Sequence, residues 1–559
     1  MKRSAVLGMG FIMALFLFGC GQNQEEKQLK TFIRSHVEKI KPIEKEAALA
    51  YWNASITGKE EDYEKSGALE LKLRQIYSNS DDFNTLKEYK ESGQIKNPLL
   101  ARQLDVLYNA YLANQIEPHL LKEIVDLSTK IQRDFSIFRG TIKGKKVSNN
   151  EIEAILKNEN DSRKRKDAWI ASKQVGKAVA KDIIQLVKLR NQAAQKLGFD
   201  NYHTLSLTTG EQNREELNHI FDELYGLTQA PFTQLKGELD DILAARYKIP
   251  VAELMPWHYH DPFFQETPLV YDLDLDTYYE DKDVKNLATV FFQGIGLPVE
   301  SILEKSDLYE REGKNPHAFT TDIDKEGDVR VLCNLKNNER WMETLLHELG
   351  HGVYDKYQDL NVPYILRNPA HAFTTEAVAM FFGRLSRNPA WMQEMLGLSD
   401  AQRSKIEKVG AKYAQLKQLI FARWAMVMYN FEKELYANPD QDLNTLWWQL
   451  VEKYQLVKMP KKRNEPDWAA KIHFTIAPCY YHNYLLGELL ASQFHHYLVT
   501  QVFKRESDQG VGYVKQPKAG DFFKTKVFAA GACYSWNDMI AKATGEPLSP
   551  KYFVQQFVK

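Results

Sequence analysis

Residues 344–357 read TLLHELGHGVYDKY and contain two histidines four positions apart. On a helix, His347 and His351 point the same way, and Glu348 lies slightly off that line. In this H-E-x-x-H arrangement two imidazoles bind one Zn²⁺, and the glutamate is placed to activate a water molecule. The alternative is a solvated helix that carries two histidines by chance, because the five-residue pattern is loose. The segment predicts a zinc hydrolase if the rest of the chain supplies the remaining parts.

A third zinc ligand is available in NPAHAFTTEAVAMFFGRL, where Glu376 falls in the predicted first turn of a new helix. Thr374 or Thr375 is the predicted N-cap of that helix. Catalytic zinc commonly has three protein ligands and one open position, so the two histidines and Glu376 would hold one zinc per chain. Acids favour helix starts in any case, so Glu376 could instead be a surface or capping residue. His371, in the loop five residues earlier, is a competing ligand.

Helical patterning dominates the elements that must position these residues. In KAVAKDIIQLVKLRNQAAQKLGF the apolar residues fall near one face, and Gly198 is the predicted C-cap. Residues 317–323 (HAFTTDI) and 328–335 (DVRVLCNL) flank a Lys-Glu-Gly-Asp turn and predict a hairpin just before the H-E-x-x-H helix. The edge of such a strand can hold an extended peptide by main-chain hydrogen bonds. We therefore expect a mainly α fold with a small β-sheet beside the zinc site.

The first residues, MKRSAVLGMGFIMALFLFGCGQ, predict an export signal. A positive start precedes an apolar run that is too short for a convincing membrane-spanning helix. The run ends in Leu-Phe-Gly-Cys, which resembles a bacterial lipobox, where cleavage precedes a cysteine that is then acylated. Residues 1–19 are thus expected to be a lipoprotein signal peptide, with Cys20 as the lipidation site. A plain signal peptide or a short buried helix is the alternative.

This signal predicts a location in the bacterial cell envelope, on the periplasmic or outer-membrane face, with a lipid anchor and no transmembrane span. The chain has 73 Lys and Arg against 74 Asp and Glu, and it shows no basic stripe, which argues against nucleic acid as a partner. The other cysteines are odd in number and lack C-x-x-C spacing, which argues against a cysteine metal cluster. No low-complexity linker or internal repeat divides the chain. We expect residues 20–559 to form a single catalytic unit.

Several motifs, correctly ordered along the chain, resemble the angiotensin-converting-enzyme-like (peptidyl-dipeptidase A) zinc metallopeptidases. AYWNASITG resembles the first-helix motif of that family, HAFTTDI its substrate-binding edge strand, KIHFTIAPCYYHNYLLGELLASQ its catalytic His/Tyr segment, and LSPKYF its C-terminal end. Glu376, 25 residues after His351, is close to the family's third-ligand spacing. Several pieces are also similar to thimet-oligopeptidase-like peptidases. The resemblance implies a two-lobed helical metallopeptidase whose deep central channel admits short unfolded peptides.

The resemblance also implies roles for individual residues. Glu348 would take a proton from the attacking water and later pass it to the leaving amine. His473 and Tyr484 would donate hydrogen bonds to the oxyanion. Lys471 would pair with the free C-terminal carboxylate of the substrate.

Three further positions match substrate-binding residues of the family. Tyr481 would be the tyrosine partner of the carboxylate-binding lysine. Ala318 on the edge strand would contribute backbone, and His317 a side chain beside it. For all of these residues the alternative is packing, because CYYHNYLLGELL could form an aromatic-rich core helix.

Three departures from the family pattern, and one residue that the pattern does not place, leave questions open. Met380 stands where the family has an aspartate that orients a zinc-binding histidine, so another acceptor must do this. Asn483 replaces the family's chloride-binding arginine, which makes chloride dependence doubtful. The segment between the catalytic histidine and tyrosine is one residue longer than the animal pattern, so Tyr480 or Tyr481 could hold the carboxylate. The glutamine of that pocket cannot be placed within ELMPWHYHDPFFQE.

The sequence thus predicts a zinc-dependent peptidyl-dipeptidase that removes dipeptides from the C-termini of short peptides. One alternative is an oligopeptidase that cuts internally and needs no free carboxylate. Another, from a different functional class, is a peptide-binding lipoprotein without catalysis. Glu348 argues against the last, because a pure binder has no use for a general base at that position.

Overall fold

The computed structural model describes residues 24–558 apart from residues 272, 508 and 509. The predicted signal peptide at residues 1–19 and the lipidation site Cys20 lie outside the described residues. Among the residues described, no helix combines the length and the apolar character needed to cross a membrane.

The predicted mainly helical fold is confirmed, since 21 α-helices account for most of the described residues. The helices before the metal-binding motif are α1 Gln24–Thr57, α2 Glu60–Tyr77, α3 Ser80–Ser92, α4 Pro98–Ala113, α5 Pro118–Ile137, α6 Asn149–Asn158, α7 Ser162–Lys196, α8 Tyr202–Thr209, α9 Arg214–Tyr247, α10 Val284–Gly294 and α11 Glu300–Leu303. The remaining helices are α12 Glu339–Lys356, α13 Ala372–Gly383, α14 Pro389–Leu396, α15 Asp400–Ala437, α16 Leu443–Gln455, α17 His473–Ile476, α18 His482–Tyr497, α19 Pro517–Phe522, α20 Trp536–Thr544 and α21 Lys551–Phe557. Two π-helical turns follow α18 and α19, at Leu498–Val502 and Phe523–Phe528.

Two antiparallel hairpins are the sheets of the described chain. The first pairs β1 Gly140–Ile142 with β2 Lys145–Val147, and the second pairs β3 Phe319–Asp322 with β4 Val329–Leu332. The hairpin predicted before the metal-binding helix is therefore confirmed, with Phe319 opposite Leu332 and Asp322 opposite Val329. Its strands are shorter than predicted, and residues 317 and 318 precede β3.

Helix α7 includes residues 177–196 of the predicted helix and begins earlier, where Asp161 accepts hydrogen bonds from the backbone N–H groups of residues 163 and 164. The helix ends at Lys196, and Gly198 has a φ of +86°. That left-handed conformation is the one that glycine adopts without steric cost after a helix C-terminus. Gly198, the predicted C-cap, therefore lies one position beyond the observed C-cap residue, Leu197.

The core lies in one large buried cluster, to which α7, α9, α12, α13, α15 and α18 all contribute. A second, smaller cluster joins α1, α3 and α4 to the turn Tyr364–Leu366. Trp52, in the first-helix motif, is buried and contacts the ring of Phe319 edge-on at 6.2 Å between centroids. The N-terminal helix is thereby packed against the hairpin that precedes the metal-binding helix.

Candidate metal centre

Helix α12 carries the H-E-x-x-H motif on the side opposite its core face. Asn338 caps its start by accepting a hydrogen bond from the backbone N–H of Trp341 at 3.0 Å. The helix has fully buried apolar residues at the i, i+3, i+4, i+7 spacing, namely Met342, Leu345, Leu346, Leu349 and Val353. Burial of each such side chain stabilises the fold by about 1.5–3 kcal/mol. This packing fixes the rotation of α12, so the two histidines are partly exposed on its other face.

Helix α13 crosses α12 at very short range because two small residues meet there. A Cβ atom added to Gly350 would lie 2.6 Å from the Cα atom of Ala379, a distance that real Cβ atoms do not tolerate. The close approach puts Glu376, one turn before Ala379, beside the histidines of α12. The helix crossing therefore assembles the third ligand with the first two.

The structure brings His347, His351 and Glu376 together, as the sequence predicted. One ligand atom from each lies within 4.8 Å of the others. Oε2 of Glu376 is 3.7 Å from Nε2 of His347 and 3.9 Å from Nε2 of His351. A tetrahedral zinc ion with bonds of about 2.0–2.2 Å keeps its ligand atoms roughly 3.3–3.6 Å apart. Three donors at this spacing need only small adjustments to hold zinc.

The protonation states of these groups also fit a metal. Burial lowers the pKa of His347, and burial together with the neighbouring His347 lowers that of His351 to about 3, so both rings are neutral with lone pairs available. Burial and nearby Glu488 raise the pKa of Glu376 to about 7. A divalent cation would reverse that rise by stabilising the carboxylate. Two imidazoles and one carboxylate form a donor set typical of catalytic zinc.

Neither Thr374 nor Thr375 is the N-cap residue of α13, so the predicted N-cap was wrong. His371 is the N-cap residue, and its Nδ1 atom accepts from the backbone N–H of Phe373. Glu376 consequently lies beyond the first turn of α13. His371 is outside the metal-binding group, and its Nδ1 atom is engaged in capping.

The hydroxyl of Thr375 instead contacts Nδ1 of His351 at 2.7 Å. With Nε2 of His351 directed at the metal position, Nδ1 carries the proton and donates it to the hydroxyl oxygen. Thr375 therefore supplies the other acceptor that a methionine at position 380 was expected to require. The sequence offered no signal for this contact, since threonine is common at helix starts.

Glu348 is buried on α12 and bonded to the edge strand. Oγ1 of Thr320, on β3, lies 2.9 Å from Oε2 of Glu348 and 2.7 Å from its backbone oxygen. Burial raises the pKa of Glu348 to about 7, with the Thr320 hydrogen bond opposing that rise and Glu376 adding to it. A carboxylate with a raised pKa is a stronger base, which suits proton transfer near neutral pH.

Helix α18 brings Tyr484 to the metal centre by packing on α13. A Cβ atom on Gly487 would lie 3.2 Å from Cβ of Glu376, so the glycine allows a close approach of the two helices. Tyr484 is three residues earlier on the same face of α18. Burial and the nearby Glu376 raise its pKa, so its phenol remains a hydrogen-bond donor.

His473 lies next to Tyr481, with their ring centroids 5.1 Å apart and the rings edge-on. Tyr481 in turn contacts Tyr484 at 5.4 Å between centroids. Burial and the nearby Lys471 lower the pKa of His473 to about 4. Its Nδ1 atom is buried and has no hydrogen-bond partner within the described part of the chain. The ring is neutral, and it has hydrogen-bonding capacity to offer a substrate.

A pocket of aromatic and polar side chains surrounds Lys471, and it contains Gln265, from the stretch in which the sequence left a glutamine unplaced. Nζ of Lys471 donates a 2.7 Å hydrogen bond to Oε1 of Gln265 and lies 5.5 Å from the ring centroid of Tyr481. Buried Asp261 shapes the loop by accepting hydrogen bonds from the backbone N–H groups of residues 263, 265 and 266. An aspartate followed by such a turn is visible in sequence, but the pairing of Gln265 with Lys471, 206 residues away, is not.

The structure places Tyr481, rather than Tyr480, beside this pocket. Nε1 of Trp424 donates a 2.7 Å hydrogen bond to the hydroxyl oxygen of Tyr481. Because that oxygen accepts from the indole, its own proton is left to donate elsewhere. Tyr480 contacts the ring of Tyr484 at 5.3 Å between centroids, and its pKa is raised by burial and by Glu376.

The remaining predicted residues lie at the entrance to β3. His317 is exposed, and its backbone N–H donates to Oδ1 of Asn315. Ala318 is half-buried and packs against the main core.

Asn483, on α18, is buried, and its Oδ1 atom accepts a 2.8 Å hydrogen bond from the side-chain amide of Gln212.

Comparison with known proteins places the chain among peptidases. Residues 23–557 match the sequence profile of the angiotensin-converting enzyme family. The angiotensin-converting enzyme of Mus musculus is 26% identical over 286 residues, which are 48% of this chain and 21% of the mouse protein. The match to the mouse protein therefore spans about a fifth of that relative's length.

Two further relatives differ in their described activity. An inactive angiotensin-converting enzyme-related protein of Caenorhabditis elegans is 22% identical over 365 residues, 58% of this chain and 40% of that protein. The oligopeptidase PepF of Bacillus subtilis is 27% identical over 319 residues, 54% of this chain and 44% of that protein.

Proposed function

Because this chain belongs to the angiotensin-converting enzyme family of peptidases, we propose that it is a zinc-dependent peptidyl-dipeptidase. It would bind short unfolded peptides and release dipeptides from their C-termini. The ligands of the single zinc ion are His347, His351 and Glu376, which meet at the crossing of α12 and α13.

The pocket around Lys471 carries this proposal. Its ammonium group is half-buried among the rings of Phe263, Trp424 and Tyr481, at 5.2–5.6 Å from their centroids. Gln265 adds an amide, and Tyr481 adds a hydroxyl whose proton is free to donate. A cation flanked by two such groups matches a carboxylate, and charge-assisted hydrogen bonds are strong where water is scarce. The free C-terminus of a peptide is the carboxylate that this pocket would anchor.

The chemical step uses groups on four elements, α12, β3, α17 and α18. When bound, zinc supplies Lewis-acid polarisation of the scissile carbonyl. Glu348 accepts a proton from the attacking water and delivers it to the leaving nitrogen. Thr320 keeps the Glu348 side chain in place, and His473 and Tyr484 donate hydrogen bonds to the oxygen that gains charge.

Two features support a channel that takes extended peptides between two lobes. Strand β3 pairs only with β4 in the described chain, so its other edge carries main-chain groups that a peptide backbone can pair with. A cavity of about 750 Å³ is lined by Glu343, one turn before His347, and by Arg384, just after α13, but by none of the three metal ligands. Such a space accepts a chain a few residues long.

The N-terminal sequence supports a location in the bacterial cell envelope. The apolar run ending in Leu-Phe-Gly-Cys favours cleavage before Cys20 and acylation of its thiol, which would tether the enzyme by lipid on the periplasmic or outer-membrane face. Metabolic labelling with a fatty acid would mark the wild-type chain and spare a Cys20→Ala variant.

A pair of peptides tests the proposed specificity. One peptide has a free C-terminus and its twin is C-terminally amidated; both are incubated with the purified enzyme, with and without a chelator, and the products are identified by mass spectrometry. Release of a C-terminal dipeptide from the free form, with a strongly reduced kcat/KM for the amidated form, supports the proposal. Equal internal cleavage of both would favour an oligopeptidase, the activity that names the Bacillus subtilis relative. No cleavage would favour the peptide-binding lipoprotein.

A further inference from the structure

The segment from His473 to Tyr484 contains three residues of the proposed machinery but little regular structure. A single helical turn, His473–Ile476, is followed by an irregular stretch that ends where α18 begins at His482. Regular hydrogen bonding therefore does not by itself fix the distance between the two oxyanion donors. Three buried polar side chains from other parts of the fold bind this segment at its start, middle and end.

Arg190 on α7 holds the start of the segment. Its Nη1 atom donates to the backbone oxygen of Phe474 at 2.9 Å, and its Nη2 atom donates to that of Thr475 at 2.7 Å. The guanidinium is 6% exposed and also donates to the hydroxyl of Tyr436. A rigid planar group bonded to two successive carbonyls directly after His473 restricts the backbone from which that ring extends.

Glu432 on α15 holds the middle. Its Oε1 atom accepts a 2.8 Å hydrogen bond from the backbone N–H of Cys479. Cys479 has a φ of +57°, a left-handed conformation that is unfavourable for a residue with a side chain. Such a conformation persists only where its surroundings hold it, and the carboxylate supplies one such contact.

Gln212, in the connection between α8 and α9, holds the end. Its Oε1 atom lies 2.7 Å from Nε2 of His482, which must be the donor because an amide oxygen only accepts. Its amide nitrogen donates to Oδ1 of Asn483 at 2.8 Å. All three side chains are at least nine-tenths buried, and Asn483 immediately precedes Tyr484.

Burial raises the pKa of Glu432 to about 7, and the nearby positive charge of Arg190 opposes that rise without forming a close ion pair. Among the described residues, Arg190 and Glu432 have no oppositely charged group within 4.0 Å, so their main hydrogen bonds are those to the segment. A buried charge that loses its hydrogen bonds costs free energy. A shift of the segment that broke these contacts would therefore be unfavourable.

We propose that Arg190, Glu432 and Gln212 are positioning residues that set the distance between His473 and Tyr484. They do so from α7, α15 and the connection between α8 and α9, by binding the segment at residues 474–475, 479 and 482–483. The inference rests on the proposed function, because it assumes that His473 and Tyr484 act on the substrate.

Matched variants test the two charged contacts. Glu432→Gln keeps an acceptor oxygen and Glu432→Leu removes it, whereas Arg190→Lys keeps the charge and loses the fork that binds two carbonyls. Glu26, on α1, is the control for Glu432. It is also buried, and it accepts hydrogen bonds from the backbone N–H groups of residues 96 and 97. Arg165→Lys is the control for Arg190, since it lies on the same helix and also binds two backbone carbonyls.

Each variant is measured for kcat, KM, zinc content, thermal midpoint and hydrogen exchange of the 473–484 peptide. We expect Glu432→Leu and Arg190→Lys to lower kcat by about ten- to hundredfold and to speed exchange in that peptide, because small misplacements of oxyanion donors are costly. Glu432→Gln should keep most of the kcat. Glu26→Leu and Arg165→Lys should lower the thermal midpoint and leave kcat within about twofold.

Gln212→Leu is the third variant. If a variant of Arg190 or Glu432 fails to fold, the kcat and the exchange rates of Gln212→Leu test the inference instead. The inference is overturned if folded, zinc-loaded variants keep wild-type kcat and exchange, or if the controls lower kcat equally. If wild type cleaves no peptide, the proposed function fails. The exchange rates of the 473–484 peptide then still show whether these side chains hold the segment.

Discussion

The hydroxyl oxygen of Thr375 and Nδ1 of His351 lie 2.7 Å apart, so the residue beside one metal ligand orients the ring of another. The contact links α13 to α12 at the centre of the site. With the hydroxyl oxygen as the acceptor, Nδ1 carries the proton and Nε2 of His351 is free to bind a metal.

Replacing Thr375 with valine should weaken zinc binding by about 10–100-fold, because the substitution removes the acceptor for His351 and keeps the side-chain shape. Competition with a chromophoric chelator measures the zinc affinity. Thr375→Ser keeps a hydroxyl and should stay close to wild type. Equal zinc affinity of the valine and serine variants would show that the Thr375 hydroxyl does not contribute to zinc binding.

Glu376→Ala should lose zinc on dialysis, because it deletes one of three ligands, and elemental analysis measures the metal retained. His371→Ala is the comparison, since His371 caps α13 and lies outside the ligand group. Loss of the cap should lower the free energy of unfolding by about 1 kcal/mol and leave zinc bound. The reverse pattern, with zinc lost from the His371 variant alone, would reassign the third ligand.

Glu348→Gln should lower kcat by about a hundred- to ten-thousandfold while zinc content and peptide binding change little. The amide keeps an oxygen for the Thr320 hydroxyl but cannot accept a proton from water. Steady-state kinetics and equilibrium peptide binding, measured on the same preparation, separate the two effects. Activity within a few-fold of wild type would exclude Glu348 as the general base.

The affinity for peptides with a free C-terminus should fall as the pH rises through about 8. Burial lowers the pKa of Lys471 to about 8, with Asp261 and Glu266 opposing that shift. Only the ammonium form pairs with a carboxylate, and above the pKa its fraction falls roughly tenfold per pH unit. KM should therefore be low below pH 8 and rise above it, whereas Lys471→Met should show a high KM with little dependence on pH. A wild-type KM that stays constant up to about pH 10 would contradict this role.

Gly350→Ala should destabilise the fold by about 1–3 kcal/mol and weaken zinc binding, because the added Cβ atom forces α12 away from α13. Denaturant unfolding and zinc titration measure the two effects. Gly226→Ala is the control, since a Cβ atom there meets nothing within 4 Å inside α9. That substitution should leave zinc binding unchanged and raise stability by up to about 1 kcal/mol through helix propensity.

The sequence by itself determined the features that depend on local periodicity. The apolar spacing that buries one face of α12 also places His347 and His351 together on the other face. The alternating pattern around a Gly-containing turn determined the hairpin that carries Thr320. The helix and the hairpin both depend on residues close in the chain, so the sequence alone was sufficient to predict them.

Only the tertiary structure decided which residues complete the site. Gln265 and Lys471 are 206 positions apart, and Tyr481 rather than Tyr480 joins them because of how α15 presents Trp424. The start of α13 could not be placed from sequence either, because Thr374, Thr375 and His371 are all able to bond a helix start. What selected among them was the crossing of α12 and α13, where close packing turns the Thr375 hydroxyl toward His351. A one-dimensional pattern contains no information on that distance between helices.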